Sequence, residues 1–170
     1  NQNLHALNIP ELTIITPAAL QTEAERVAQL HREEGLTVAV IEQEKIFNEF
    51  SSGTPDASAY RRLMKVFYDR AEGNENVRPR YLLLFGDGSY NNRKSMEKLH
   101  SPECNMLLTY QSKTSIDERE SFVIEDYFGF LEDNSGEEIK VDKVCLGIGR
   151  FPISSIKNAR LVVDKLYRYV

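Results

Sequence analysis

Two strand-length apolar runs with a helix between them constrain this chain most. Leu12–Thr16 (LTIIT) is the first run and Leu36–Ile41 (LTVAVI) the second, and both are rich in β-branched residues. Between them Leu20, Ala24, Val27 and His31 recur at helical spacing. Thr16-Pro17 suits an N-cap followed by a first-turn proline, and Gly35 suits a left-handed cap at the other end. Strand, amphipathic helix and strand within about thirty residues make a βαβ unit, so the two strands pair in parallel through a crossover.

The rest of the chain extends that frame. Ile46, Phe47 and Phe50 predict a short helix ended at Ser51-Ser52-Gly53. Thr54-Pro55 opens another, with Tyr60, Leu63, Met64, Phe67 and Ala71 on its apolar face and Gly73 after it. Tyr81–Phe85 is a third buried strand, running into Gly86-Asp87-Gly88-Ser89, which reads as a tight turn. Ser89 to Glu120 is polar with little periodicity, and loops of that length are usually functional or unstructured. SFVIEDYFGFLED reads as extended aromatic structure leading through EDNSGEE into a hairpin-like insertion, and KVCLGIGRFP as a fourth buried strand. Ser154 or Ser155 caps a last helix with Ile156, Ala159, Val162, Val163 and Leu166 facing inward. The fold class predicted is α/β: a mainly parallel four-strand sheet with helices on both faces, plus the hairpin-like insertion.

Composition narrows the function classes. With 170 residues the chain suits one domain. A formal charge of −5 and no basic stripe argue against nucleic acid, and no apolar run approaches a transmembrane span. Cys104 and Cys145 form no C-x-x-C pair and lack the ligand spacing of a zinc site. The chain opens on Asn1 and closes on KLYRYV inside a helical pattern, so a piece of a longer protein is expected, with 1–11 a tail or linker.

Residues past the ends of parallel strands are where ligands collect, so Asp87 has two readings. It either caps a backbone N–H within a turn or holds a metal or phosphoryl group. Ser89 as a nucleophile needs a paired base, and of His5, His31 and His100 only His100, in the long loop, is placed to serve. Cys145 falls in a predicted buried strand and Cys104 in an exposed loop, and neither has a base nearby in sequence. Glu125-Asp126 and Glu132-Asp133 do not fit a calcium-loop pattern. Arg150 is placed to meet a carboxylate, with Asp87 and Asp126 the candidates. By residues alone the chain is an α/β domain without a complete catalytic set.

Four segments in order, YLLLFGDGSYNNR, ESFVIEDYFGF, LGIGRFPISS and NARLVVDKLYRYV, together with IFNEFSSGTPDASAYRRLMKVFYDRA, resemble the gingipain-type cysteine peptidases. The resemblance runs from about Leu12 onward and is closest to the cell-surface sortase branch found in the type IX secretion system of Bacteroidota. It implies the caspase-like three-layer sandwich, with 12–170 as the N-terminal subdomain. It also implies a parent with cysteine endopeptidase or transpeptidase activity that removes C-terminal sorting signals from secreted proteins at the outer membrane or cell surface. The implied partners are the C-terminal subdomain, protein substrates and secretion-machinery proteins. No cofactor is implied for this segment, and structural calcium in the parent is not assignable to residues here.

The family's catalytic His stands in a His-Gly step and its Cys later still; none of the histidines here precedes Gly and neither cysteine matches. No catalytic, cofactor-binding or metal residue is therefore carried over. The segment alone is expected to be inert and to expose an apolar patch where the other half packs. Asp87, Ser89, Tyr90, Asp126, Tyr127 and Arg150 are expected to support the active face. The alternative is a free-standing binding or receiver-like module using Asp87, and a Ser89 esterase comes third.

Overall fold

A computed structural model describes residues 2–169 except 98, 100, 102, 113, 115, 118, 139 and 140, with the side chains of 94–96 also left out. Among the described residues nine strands and α-helices follow one another: β1 (Leu12–Thr16), α1 (Gln21–Glu33), β2 (Val38–Glu42), α2 (Gln43–Phe50), α3 (Ser58–Arg70), β3 (Tyr81–Phe85), α4 (Asn92–Glu97), β4 (Gly147–Phe151) and α5 (Ile156–Leu166). The strands form one sheet in the order β2-β1-β3-β4, and every pairing is parallel. The chain starts mid-sheet, builds outward to β2, then returns to build the other way. The switch point therefore lies between β1 and β3, the position at whose carboxyl side such sheets hold ligands.

Helices cover both faces. Ile15, Leu82 and Leu84 meet Ile46 and Phe47 of α2 and Tyr60, Leu63, Met64 and Phe67 of α3. Leu12, Ile14 and Phe85 meet Leu20, Ala24, Val27 and Ala28 around α1, and Ala159 and Val163 of α5. β1 is buried at all five positions, as a central strand sandwiched by two layers must be.

Gly35 (φ +96°) closes α1, donating to Arg32 O while Leu36 N–H donates to His31 O. Gly53 (φ +80°) does the same for α2 through Phe47 O. Ser155 Oγ caps α5 by accepting from Asn158 N–H at 3.1 Å.

Several local expectations are corrected. Thr16 caps nothing: its hydroxyl bonds to Pro17 O and, across the switch point, to Phe85 O, and a 3-10 turn at Ala18–Leu20 precedes α1. α3 starts at Ser58, where Asp56 Oδ1 accepts from Ser58 N–H, rather than at Thr54-Pro55. The polar region after Ser89 contains α4. Among the described residues no strand forms between 124 and 146, where the sequence predicts the hairpin-like insertion. Tyr127, Phe128, Phe130 and Leu131 are all buried, which alternation cannot achieve, and a 3-10 turn over Asp126–Gly129 turns them together onto α3. Antiparallel pairing occurs earlier, at Gln111 and Val123.

β4 is shorter and more exposed than the sequence predicts, and Ile156 on α5 is also exposed. Residues 2–11, read as a tail, include a 3-10 turn at Leu4–Ala6 with Leu4 buried against the core.

Candidate functional site at the carboxyl edge of the sheet

Beyond Phe85 the chain does not turn tightly. Asp87 continues extended and forms a parallel bridge with Met106. Its N–H donates to Asn105 O at 2.8 Å, and Leu107 N–H donates to its carbonyl at 2.8 Å. The two flanking glycines serve close approach rather than a positive φ. A Cβ on Gly86 would lie 3.0 Å from Asn105 O and from Leu107 Cγ, and one on Gly88 would lie 2.9 Å from Thr109 Cγ2. The loop 105–108 thus lies against the end of β3. Gln43, at the carboxyl end of β2, donates from Nε2 to Met106 O at 2.9 Å, and Asn105 Nδ2 donates to Ile153 O at 2.8 Å. The chain's own loop occupies the edge where a receiver-like module would leave a crevice. Asp87 Oδ1 accepts from Gly88 N–H at 2.9 Å.

Arg150 of β4 lies at the centre of this edge. Nε donates to Glu125 Oε1 at 2.8 Å and Nη2 to Glu125 Oε2 at 3.1 Å. Nη1 donates to Gly86 O and Asp87 O, and Nη2 also to Leu108 O. An arginine offers five N–H donors, and here each has an acceptor. The carboxylate that meets Arg150 is therefore Glu125, not Asp87 or Asp126. Asp126 begins the 3-10 turn and points to solvent, whereas Glu125, one residue earlier, faces β4.

A depression of about 330 Å³ opens above this guanidinium, bounded by Asp87, Ser89, Tyr90, Thr109, Val123 and Pro152 among others. Four of the six predicted support residues, Asp87, Ser89, Tyr90 and Arg150, meet here. Ser89 Oγ accepts from Asn91 N–H at 3.0 Å, and Tyr90 is 80 % exposed at the rim. Asp126 and Tyr127 stand apart from it. Tyr127 is buried beside α3, where its hydroxyl donates to Ser58 Oγ at 3.1 Å and its ring stacks on Tyr110 with 3.4 Å between centroids. Sequence reasoning missed Glu125, Thr109 and Val123. Glu125 had a signal in the acidic pair Glu125-Asp126; Thr109 sits in an aperiodic stretch that gave none.

The nucleophile candidates reverse their predicted environments. Cys104 is buried at 4 % exposure with Sγ near Met106 O, while Cys145 is half-buried and precedes β4 instead of lying inside it. The His5 ring packs on Phe50, and His31 of α1 meets Glu34 just past the helix end. His100 lies outside the described residues.

No curated protein matches the sequence. Among solved structures, the chain is similar to PorU from Porphyromonas gingivalis, whose crystal structure is described as that of a dimeric latent form. The TM-score is 0.85 and the identity 44%, over 99% of this chain and 16% of that one. The chain thus spans 16% of the PorU chain it matches. The family model described as peptidase family C25 matches residues 5–170, in keeping with the motifs that resemble gingipains. The chain belongs to peptidase family C25.

Proposed function

We propose that this chain is the N-terminal, non-catalytic subdomain of a PorU-like cysteine peptidase, a scaffold for a catalytic half elsewhere in the parent protein. The parent is then a cell-surface sortase that removes C-terminal sorting signals from proteins of the type IX secretion system. The observation that carries this reading is β4. Among the described residues it pairs only with β3, and an exposed edge strand normally needs cover. It also borders an apolar groove of about 540 Å³, floored by Leu83, Gly147 and Gly149, with Tyr81 41 % exposed beside it. That surface suits a second half packed alongside. No helix among the described residues is long and apolar enough to cross a membrane.

The test is turnover of a reporter ending in a C-terminal sorting domain by the whole parent polypeptide. Cys104→Ala and Cys145→Ala should each cleave it like the unmodified protein, because the nucleophile lies outside this segment. Loss of cleavage in either variant, with its melting temperature unchanged, would place the nucleophile here and end the reading.

A further inference from the structure

Arg150 does more than pair with a carboxylate. It joins four separate stretches of chain: β4, the extension of β3 at Gly86 and Asp87, the loop at Leu108, and Glu125 ahead of the 3-10 turn. Its side chain is only 12 % exposed, and its donors are all committed, so it has no capacity left to bind an anion itself. Leu108 is held from both sides, since its carbonyl accepts from Arg150 and its N–H donates to Tyr60 OH at 3.3 Å. The missing Cβ of Gly88 lets the guanidinium come close, with Arg150 Cζ 3.3 Å from where it would stand. Lining the depression above this clamp are Ser89, the exposed Tyr90 ring and Val123, together with exposed Pro152 and half-buried Asp87, whose Oδ1 accepts from Gly88 N–H.

We propose that the depression above Arg150 is a peptide subsite, with Tyr90, Ser89 and Val123 as its contact surface and Arg150–Glu125 as the positioning pair that shapes it. The substrate class is an extended segment of a protein, seating a side chain without negative charge against Tyr90 and Val123. The Arg150–Glu125 pair is neutral as a unit, Asp87 adds one carboxylate to the wall and disfavours an acidic occupant, the rim is aromatic and aliphatic, and the Ser89 hydroxyl supplies one polar contact. The inference rests on the peptidase reading above. Arg150 acts through Asp87 and Leu108 and does not touch the substrate.

The test uses the whole parent peptidase and the sorting-domain reporter, with active sites counted by a thiol-directed covalent inhibitor. Tyr90→Ala should raise KM about tenfold, the scale of losing one aromatic anchor, with kcat per titrated site unchanged. Arg150→Lys keeps the charge but not the fork, so it should raise KM similarly. It should also speed hydrogen exchange at the Asp87 and Leu108 amides, which Tyr90→Ala leaves alone. An unchanged KM in Tyr90→Ala overturns the subsite. A fall in titratable sites in Arg150→Lys at unchanged KM makes Arg150 merely structural and overturns the positioning role. Reporter affinity, measured in parallel by calorimetry on nucleophile-blocked protein, separates the two readings. If the parent never cleaves, the peptidase reading fails, and the subsite stands only if Tyr90→Ala still weakens reporter binding about tenfold.

Discussion

The Tyr60 hydroxyl donates to Gln43 Oε1 at 2.7 Å inside the core, and both side chains are almost fully buried. The same hydroxyl accepts from Leu108 N–H, and the other end of Gln43 reaches Met106 O. One phenol and one amide therefore fasten the loop 106–108 to α3 and to the start of α2. Burial pushes the Tyr60 phenol far above its ordinary range, so it stays a neutral donor. Tyr60→Phe strands Gln43 Oε1 and the Leu108 N–H in an apolar interior, at a cost of about 1–3 kcal/mol. Thermal melts should show a fall of roughly 2–4 °C for each kcal/mol lost. Adding Gln43→Leu should cost less than the sum of the two single changes, because the pair is lost once. Strict additivity would show that the two side chains are not coupled.

Gly88 and Gly149 offer a contrast within one sheet edge. A Cβ at Gly88 meets Thr109 Cγ2 at 2.9 Å with Arg150 just behind, whereas a Cβ at Gly149 meets nothing within 4 Å. Gly88→Ala should destabilise by about 1–3 kcal/mol, the range for forcing an extra methyl into packed structure. Gly149→Ala should leave stability unchanged or raise it by about 0.4–1 kcal/mol, through the lost freedom of the unfolded chain. Urea unfolding of the two variants decides. Equal midpoints would mean that the carboxyl edge has slack that the packing around Arg150 does not show.

The four strands and the long helices were legible because their apolar periodicity repeats what the two core faces demand. Ile14 and Ile15 on β1, or Leu63 and Phe67 on α3, have one place to go. The carboxyl edge was less so. Gly86-Asp87-Gly88 looks like a turn to any local rule, because turns favour those residues. Here the glycines answer contacts with Asn105 and Thr109, some twenty residues later. Glu125 and Asp126 are chemically alike, and only the 3-10 turn decides which one faces Arg150. The burial of Cys104 likewise depends on how the loop 104–108 lies over the sheet, which no periodicity records. The aromatic run 127–131 misled because consecutive buried residues can be met by a tight turn as well as by a strand.

Glu49 makes the segment ahead of β1 sensitive to acid. Both of its carboxylate oxygens accept from Leu4 N–H, at 2.9 and 2.7 Å, and Gln2 Nε2 donates to Oε1 at 2.8 Å. Desolvation pushes this carboxyl up, but the Leu4, Gln2 and His5 interactions together outweigh it and hold it below its ordinary value of 4.5. A depressed carboxylate stabilises the fold fully above its unfolded pKa, and that contribution is lost as pH falls through the lower folded value. Residues 2–10 should therefore loosen as pH falls below the ordinary carboxyl value of 4.5 and through the lower folded one, while the buried strands hold. Hydrogen exchange at the Leu4 amide, corrected for its intrinsic pH dependence, reports the opening. In Glu49→Gln the protection should be weaker at neutral pH and flat with acid, since the neutral amide accepts less strongly and does not titrate. Protection in the unmodified chain that is equally flat would mean that the apolar packing of Leu4, not the Glu49 charge, holds the segment down.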